Sequence, residues 1–235
     1  MWHRIRFADH GGNQGTQVTV RCMDERVLNR DVEGAAAAHQ RLLADLDALD
    51  STSGALDPTR PTVLARWTVG HLLTHIARQA DSVVRMLDGH DQYEGGAKGR
   101  SEEIESGALR DLEALVTDVR MSIWRLESRW AAHQNWEALA TLVSGAVVPC
   151  HELPFRRWRE VAIHHVDLGI GMGFEDLPSE YLRRELRLME MLWNSRQPMG
   201  LTGLPARALE LAPPQRLAWL MGRAEVEGLA PAGIY

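Results

Sequence analysis

The chain has 235 residues, of which 45% are hydrophobic and 25% charged, a composition typical of a globular protein with one or two domains. Its net charge of −6 argues against a non-specific nucleic-acid binder, because such binding depends on clustered Lys and Arg. The two cysteines, Cys22 and Cys150, exclude a disulfide framework and suit a reducing compartment. No apolar run is long enough for a membrane span, and no stretch has the form of a signal peptide. We therefore expect a cytoplasmic protein with neither membrane nor nucleic acid as a partner.

The first 22 residues show no helical periodicity and contain Gly-Gly, Asn and Gln. They predict a loose N-terminal extension over 1–22. The sequence Met-Asp-Glu-Arg at 23–26 resembles a natural start followed by a helix, which suggests that the leader is an upstream mis-start.

Four long amphipathic segments follow in the chain. Apolar residues at helical spacing predict helices over 27–49, 68–87 and 101–132, and a fourth around 156–168. The connection at 143–154 is expected to include short extended pieces. Few other strand signals occur, so the pattern predicts a mainly α fold with a four-helix bundle over 23–175.

The pattern changes after Pro178. A helix is predicted over 179–195, a strand over 206–211 and a last helix over 214–225, with Gly and Pro punctuation between them. The sequence therefore predicts a small C-terminal α+β domain over 176–235.

The segment 156–168 carries the most chemistry. Glu160 and His164 are four residues apart, which places them on one face of a helix, one turn from each other. A carboxylate and an imidazole in that arrangement can bind the same metal ion. Asp167, three residues further, could orient His164 through its second ring nitrogen.

A catalytic zinc site usually has three protein ligands and one open position, so a third donor is needed. His71 and His75, on the second helix, both qualify by residue type. His75 lies nearer the apolar stripe of that helix, which favours His75 without excluding His71.

Three segments resemble one known family. Residues 67–77 (WTVGHLLTHIA) resemble the N-terminal motif of the mycothiol-dependent maleylpyruvate isomerases, which are related to DinB-like metal-binding bundles. Residues 157–168 (RWREVAIHHVDL) are similar to the family's second motif, and 217–223 (LAWLMGR) carry a weaker likeness. The segments occur in the family's order and span most of 23–229.

The resemblance implies a DinB-like four-helix bundle with a zinc ion bound by His75, Glu160 and His164. It also implies that Asp167 is a support residue and that Arg223 and Arg100 belong to the active site. We take Arg100 and Tyr93 as candidate contacts of the cofactor.

The activity implied is cis–trans isomerisation of maleylpyruvate to fumarylpyruvate by reversible addition of a thiolate. Zinc lowers the pKa of a thiol, and a diffusible thiol, the family's mycothiol, is a better candidate than Cys150. Arg223 could bind a substrate carboxylate in a bidentate fork, or it could be a surface residue.

Two alternatives stay open. The same zinc and thiol would suit a mycothiol S-transferase acting on another electrophile. A non-catalytic helical binding module would have no need of converging metal ligands. We expect a monomer or a homodimer whose partners are a small electrophile and a low-molecular-weight thiol.

Overall fold

The structure is a computed structural model that describes residues 2–4, 19–21, 23–50, 56–196 and 203–233. Its helices are α1 (Glu25–Asp50), α2 (Val69–Leu87), α3 (Gly96–Gly107), α4 (Leu112–Ala132), α5 (Leu153–Leu168), α6 (Ser179–Arg196), α7 (Ala206–Leu209) and α8 (Pro213–Leu220). Its strands are β1 (Trp2–Arg4), β2 (Thr19–Arg21), β3 (Leu139–Thr141) and β4 (Val147–Pro149).

Helices α1, α2, α4 and α5 pack against one another as a four-helix bundle. Each turns an apolar stripe inward, as the helical spacing predicted. The bundle interior is lined by Leu42, Leu72, Leu73, Ile76, Leu115, Val119, Ile123 and Val161, all buried. The prediction of a mainly helical, DinB-like fold is confirmed.

The strands form two small antiparallel pairs. In the pair just before α5, Leu139 lies opposite Pro149 and Thr141 opposite Val147. Strand β4 falls within 143–154, where short extended pieces were expected, whereas β3 precedes that range. In the other pair β1 joins β2, with Trp2 opposite Arg21. Most of the predicted N-terminal extension lies outside the described residues, so its loose character stays a prediction.

Two predicted elements were wrong. The single helix expected over 101–132 is two helices, because the chain turns between Gly107 and Asp111 and the Asp111 carboxylate accepts a hydrogen bond from the Ala114 N–H (2.8 Å), capping α4. The strand expected over 206–211 is the short helix α7. The segment is too short for periodicity to separate a strand from a helix, and Pro205 begins a helical turn at Ala206. In the described residues from 176 onward the secondary structure is therefore helical only.

The C-terminal helices share a hydrophobic core with the bundle. Trp158 of α5 packs against Tyr181 of α6 with ring centroids 5.5 Å apart, and α6 packs against α8. Arg159 of α5 donates two hydrogen bonds to the fully buried carboxylate of Glu185 on α6 (2.5 and 2.8 Å). The last helix ends at Leu220, earlier than the predicted 225.

Local signals set the ends of the helix that carries Glu160 and His164. Pro154 lies in the first turn of α5, where its missing N–H removes no helical hydrogen bond. Gly169 follows the last turn with φ = 64°, a left-handed conformation that a glycine adopts without strain. Among the described residues, no helix has the length and apolar character needed to cross a bilayer.

Candidate metal centre

Three potential metal ligands from two helices meet inside the bundle. His75 of α2 lies with Nε2 3.0 Å from Glu160 Oε2, and His164 of α5 lies with Nε2 3.3 Å from the same oxygen. The two imidazole rings have centroids 4.9 Å apart and stand nearly perpendicular. One donor atom from each residue can be chosen so that all three lie within 4.8 Å of one another.

The other candidate histidine lies elsewhere. His71 Nδ1 accepts a hydrogen bond from the Thr68 backbone N–H (3.2 Å) and lies 2.8 Å from the Thr68 hydroxyl, at the first turn of α2. Its Nε2 is 3.3 Å from the exposed Glu105 carboxylate. His71 thus caps the helix, and the structure brings His75 rather than His71 to Glu160 and His164.

The protonation states follow from burial and neighbours. Burial lowers the pKa of His75 to about 4, although the hydrogen bond with Glu160 opposes that shift. Burial also lowers the pKa of His164, but hydrogen bonds with Asp167 and Glu160 outweigh it and raise this pKa to about 9. The two carboxylates beside His164 therefore favour the protonated form of its ring. A cation that bound here would displace its proton.

The donor set fits zinc. Two imidazole nitrogens and one carboxylate oxygen are common zinc ligands, with bonds of about 2.0–2.2 Å, so tetrahedral geometry separates neighbouring donors by roughly 3.3 Å. The two separations from Glu160 Oε2, 3.0 and 3.3 Å, are close to that edge length. A zinc ion would be held by His75, Glu160 and His164, with a fourth position left for a ligand.

Asp167 and Arg223 support His164 from behind. Asp167 Oδ2 lies 3.0 Å from His164 Nδ1, which directs Nε2 toward Glu160 and His75. The Arg223 guanidinium donates from Nε to Asp167 Oδ1 (3.0 Å) and from Nη2 to Oδ2 (3.1 Å). Its remaining nitrogen, Nη1, donates to the Met221 carbonyl (2.6 Å).

The role expected for Arg223 in holding a substrate carboxylate stays a prediction. All three guanidinium nitrogens are engaged by protein groups, and Arg223 does not line the cavity beside the three ligands. Its guanidinium reaches His164 only through Asp167.

A cavity of about 520 Å³ opens beside the three ligands. Arg100 and Tyr93, both predicted from the sequence as cofactor contacts, line it. Arg100 Nη2 lies 3.3 Å from His75 Nδ1, and the Arg100 guanidinium lies 5.8 Å from the centre of the Tyr93 ring. Burial raises the pKa of Tyr93, so its hydroxyl stays protonated at neutral pH.

Sequence reasoning missed part of the cavity wall. Gln79, Gln92, Trp67, Leu64, Ala65 and Val143 complete the lining. Gln79 follows His75 by four residues on α2, so the spacing used for Glu160 and His164 could have found it. The loop residues gave no comparable signal.

Cys150 does not line the cavity and is 1% exposed. Burial raises the pKa of its thiol, which keeps it protonated at neutral pH. This agrees with the expectation that a reacting thiol would come from a diffusible molecule.

The structure thus defines a helical bundle in which two helices supply three candidate metal ligands. The family model described as the mycothiol maleylpyruvate isomerase N-terminal domain matches residues 33–169, more than half of the chain. The chain belongs to this family. The match includes His75, Glu160 and His164 and ends before Arg223.

Two solved structures have the same fold. One is a crystal structure of a mycothiol-dependent maleylpyruvate isomerase, 24% identical, with a TM-score of 0.70 over 84% of this chain and 90% of that one. The other is a histidine-to-alanine mutant of a mycothiol-dependent maleylpyruvate isomerase, 23% identical, with a TM-score of 0.71 and the same coverage. A comparison with curated proteins found no match.

Proposed function

We propose that the protein is a zinc- and mycothiol-dependent isomerase that converts maleylpyruvate to fumarylpyruvate. The observation that carries the proposal is the convergence of His75, Glu160 and His164 beside a cavity, in a chain that belongs to this family. A bundle that only bound another protein would have no use for three such donors turned toward one point.

A zinc ion bound by these residues would supply the positive charge that keeps a thiol ionised at neutral pH. The reaction is a reversible addition of that thiol to the cis double bond, which leaves a single bond free to rotate before elimination restores the double bond as trans. The thiol is returned unchanged.

The chain's own residues have separate tasks in this scheme. Asp167 holds the His164 ring in position, and Arg223 holds Asp167. Arg100 lines the cavity, where it would donate hydrogen bonds to an oxygen that becomes negative during addition. The Arg100 guanidinium lies over the face of the Tyr93 ring.

The test is an assay of the purified protein with zinc, mycothiol and maleylpyruvate that follows substrate, product and free thiol together. We expect many turnovers to fumarylpyruvate with the thiol concentration unchanged. Glu160→Ala should abolish turnover, whereas Glu105→Ala, which alters an exposed carboxylate beside His71, should leave it intact.

Consumption of one thiol per molecule of electrophile would contradict the isomerase and support an S-transferase built on the same site. A protein that binds no metal and changes neither substrate nor thiol would contradict both enzymes and leave the non-catalytic binding module.

A further inference from the structure

A buried arginine lies beneath the cavity wall. Arg157 of α5 has no solvent exposure, and its Nη1 donates to the Ile76 carbonyl (2.8 Å) and to Gln79 Oε1 (2.8 Å). Its Nε donates to His39 Nε2 (3.0 Å). Its Nη2 is buried without a hydrogen-bond partner among the described residues, so the contacts at Nη1 and Nε are the ones that restrict the position of the guanidinium.

The contacts of His39 strengthen that restriction. A guanidinium N–H can only donate, so His39 Nε2 is the acceptor and Nδ1 carries the ring proton. That nitrogen lies 2.8 Å from Glu127 Oε1, to which it donates. Arg157 is therefore connected to α1 and α4 as well as to α2.

This arrangement fixes the orientation of the Gln79 side chain. The atom that meets the Arg157 guanidinium must be the amide oxygen, because the amide NH₂ cannot accept a hydrogen bond. Gln79 lines the cavity and is 5% exposed. No acceptor among the described residues contacts its amide nitrogen, so the NH₂ group is left for a ligand.

The amide oxygen of Gln92, like that of Gln79, is held by a donor from the protein. Its Oε1 accepts a hydrogen bond from the Val143 backbone N–H (2.7 Å), and it also lines the cavity. With Arg100, the cavity wall therefore offers N–H groups from three side chains. A wall of donors suits a ligand whose oxygens only accept, such as a carboxylate.

We propose that Gln79 is a specificity-determining residue that donates a hydrogen bond to a carboxylate of the substrate, and that Arg157 is the positioning residue that turns the Gln79 amide toward it. The inference rests on the proposed function only in its choice of a carboxylate as ligand. It assigns substrate recognition to α2 and α5 rather than to Arg223.

The test measures binding of maleate, an unreactive dicarboxylate when no thiol is present, to the metal-loaded protein by isothermal titration calorimetry. Gln79→Met keeps the length of the side chain but removes its donors, and it should weaken maleate binding by roughly tenfold to a hundredfold. Gln134→Met, at an exposed position away from the cavity, is the matched control and should bind like the wild type.

A second variant guards against a folding defect. Gln79→Glu places a carboxylate against Arg157, so the fold and the zinc content should be kept, but maleate should be repelled more strongly than by Gln79→Met. Wild-type affinity in either variant, or no binding of maleate to the wild type, would overturn the assignment of Gln79.

The positioning role has its own readout. Arg157→Lys keeps the charge but cannot reproduce the contacts of the guanidinium. As a single substitution in the otherwise wild-type protein, it should weaken maleate binding. In the Gln79→Met background it should have no further effect, because both changes remove the same contact. Additive losses would show that Arg157 does not act through Gln79.

Turnover separates this inference from the proposed function. Binding of maleate that depends on Gln79, without isomerisation, would overturn the proposed function and support the inference. If the wild type isomerises maleylpyruvate but Gln79→Met binds maleate as tightly as the wild type, the proposed function is supported and the role of Gln79 is overturned.

Discussion

At the scale of single residues, the candidate centre depends on side chains that hold one another in place. Asp167 Oδ2 lies 3.0 Å from His164 Nδ1 and so orients the ring with Nε2 toward Glu160. Burial by itself raises the pKa of Asp167, but hydrogen bonds from His164 and Arg223 outweigh burial and lower it. Asp167 therefore remains a carboxylate at neutral pH and can keep the ring oriented.

Arg223→Ala tests how far this support extends. It leaves the buried Asp167 carboxylate without its bidentate partner, so we expect zinc affinity to fall by about tenfold, the low end for loss of an outer partner of a metal ligand. Competition with a chromophoric chelator measures that affinity. Asp118→Asn, which disturbs an ion pair with Arg78 and Arg110 away from the centre, is the control.

The alternative from the sequence gives a different result. If Arg223 gripped substrate instead, Arg223→Ala would keep full zinc affinity and lose only activity. The sequence could not separate these roles, because Arg223 and Asp167 are 56 positions apart and their contact forms only in the folded chain. The likeness of 217–223 to the family identified Arg223 as important without indicating which group it binds.

The two histidines of α2 are a second case in which the sequence alone could not assign a role. His71 and His75 lie four residues apart on one helix, and composition does not distinguish a ligand from a cap. The Thr68 contacts that occupy His71 depend on the turn before α2, where the backbone leaves the helical conformation. Only the resemblance and the position of the apolar stripe favoured His75 in advance.

At the scale of helices, close packing decides details that periodicity does not contain. The α3–α4 break was visible in principle as Gly107 followed by Asp111, a helix stop and an N-cap, but the continuous apolar pattern concealed it. The short α7 was missed because four residues are too few for periodicity to separate a helical turn from a strand. Long helices with one apolar face were predicted well because burial of that face determines their conformation.

The crossing of α1 and α5 gives an element-scale prediction. A Cβ added at Gly34 of α1 would lie 2.3 Å from the Trp158 ring of α5, a ring that is itself buried against Tyr181. Gly34→Ala should gain about 1 kcal/mol in helix propensity but lose more, since overpacking typically costs about 1–3 kcal/mol. We expect a lower urea midpoint.

The matched control is Gly203→Ala, where an added Cβ meets nothing within 4 Å. It should leave the midpoint unchanged or slightly higher. A higher midpoint for Gly34→Ala itself would contradict the close approach of α1 and α5.

At the scale of the whole molecule, the buried His39, which is hydrogen-bonded to Arg157, makes the free energy of unfolding depend on pH. Burial lowers the pKa of His39 to about 4, compared with 6.5 for an exposed histidine. Between pH 6.5 and 4 the unfolded state therefore binds more protons, so the free energy of unfolding falls as the pH falls. For one proton the slope is at most about 1.4 kcal/mol per pH unit.

His39→Gln should flatten this dependence. The variant keeps an acceptor for Arg157 but cannot titrate, so its stability should change less than that of the wild type between pH 6.5 and 4. Chemical denaturation across that range measures the difference, and the exposed His90→Gln should behave like the wild type. Equal slopes in His39→Gln and the wild type would mean that His39 is not buried as a neutral ring.

The central claim is that His75, Glu160 and His164 form one zinc site, and metal stoichiometry tests it most directly. Protein that is purified in the presence of zinc should contain about one zinc per chain when its metal content is measured by inductively coupled plasma mass spectrometry. His75→Ala, Glu160→Ala and His164→Ala should each lose most of it, whereas His71→Ala, at the cap of the same helix, should keep it. Full zinc in His75→Ala together with loss in His71→Ala would contradict the site described here.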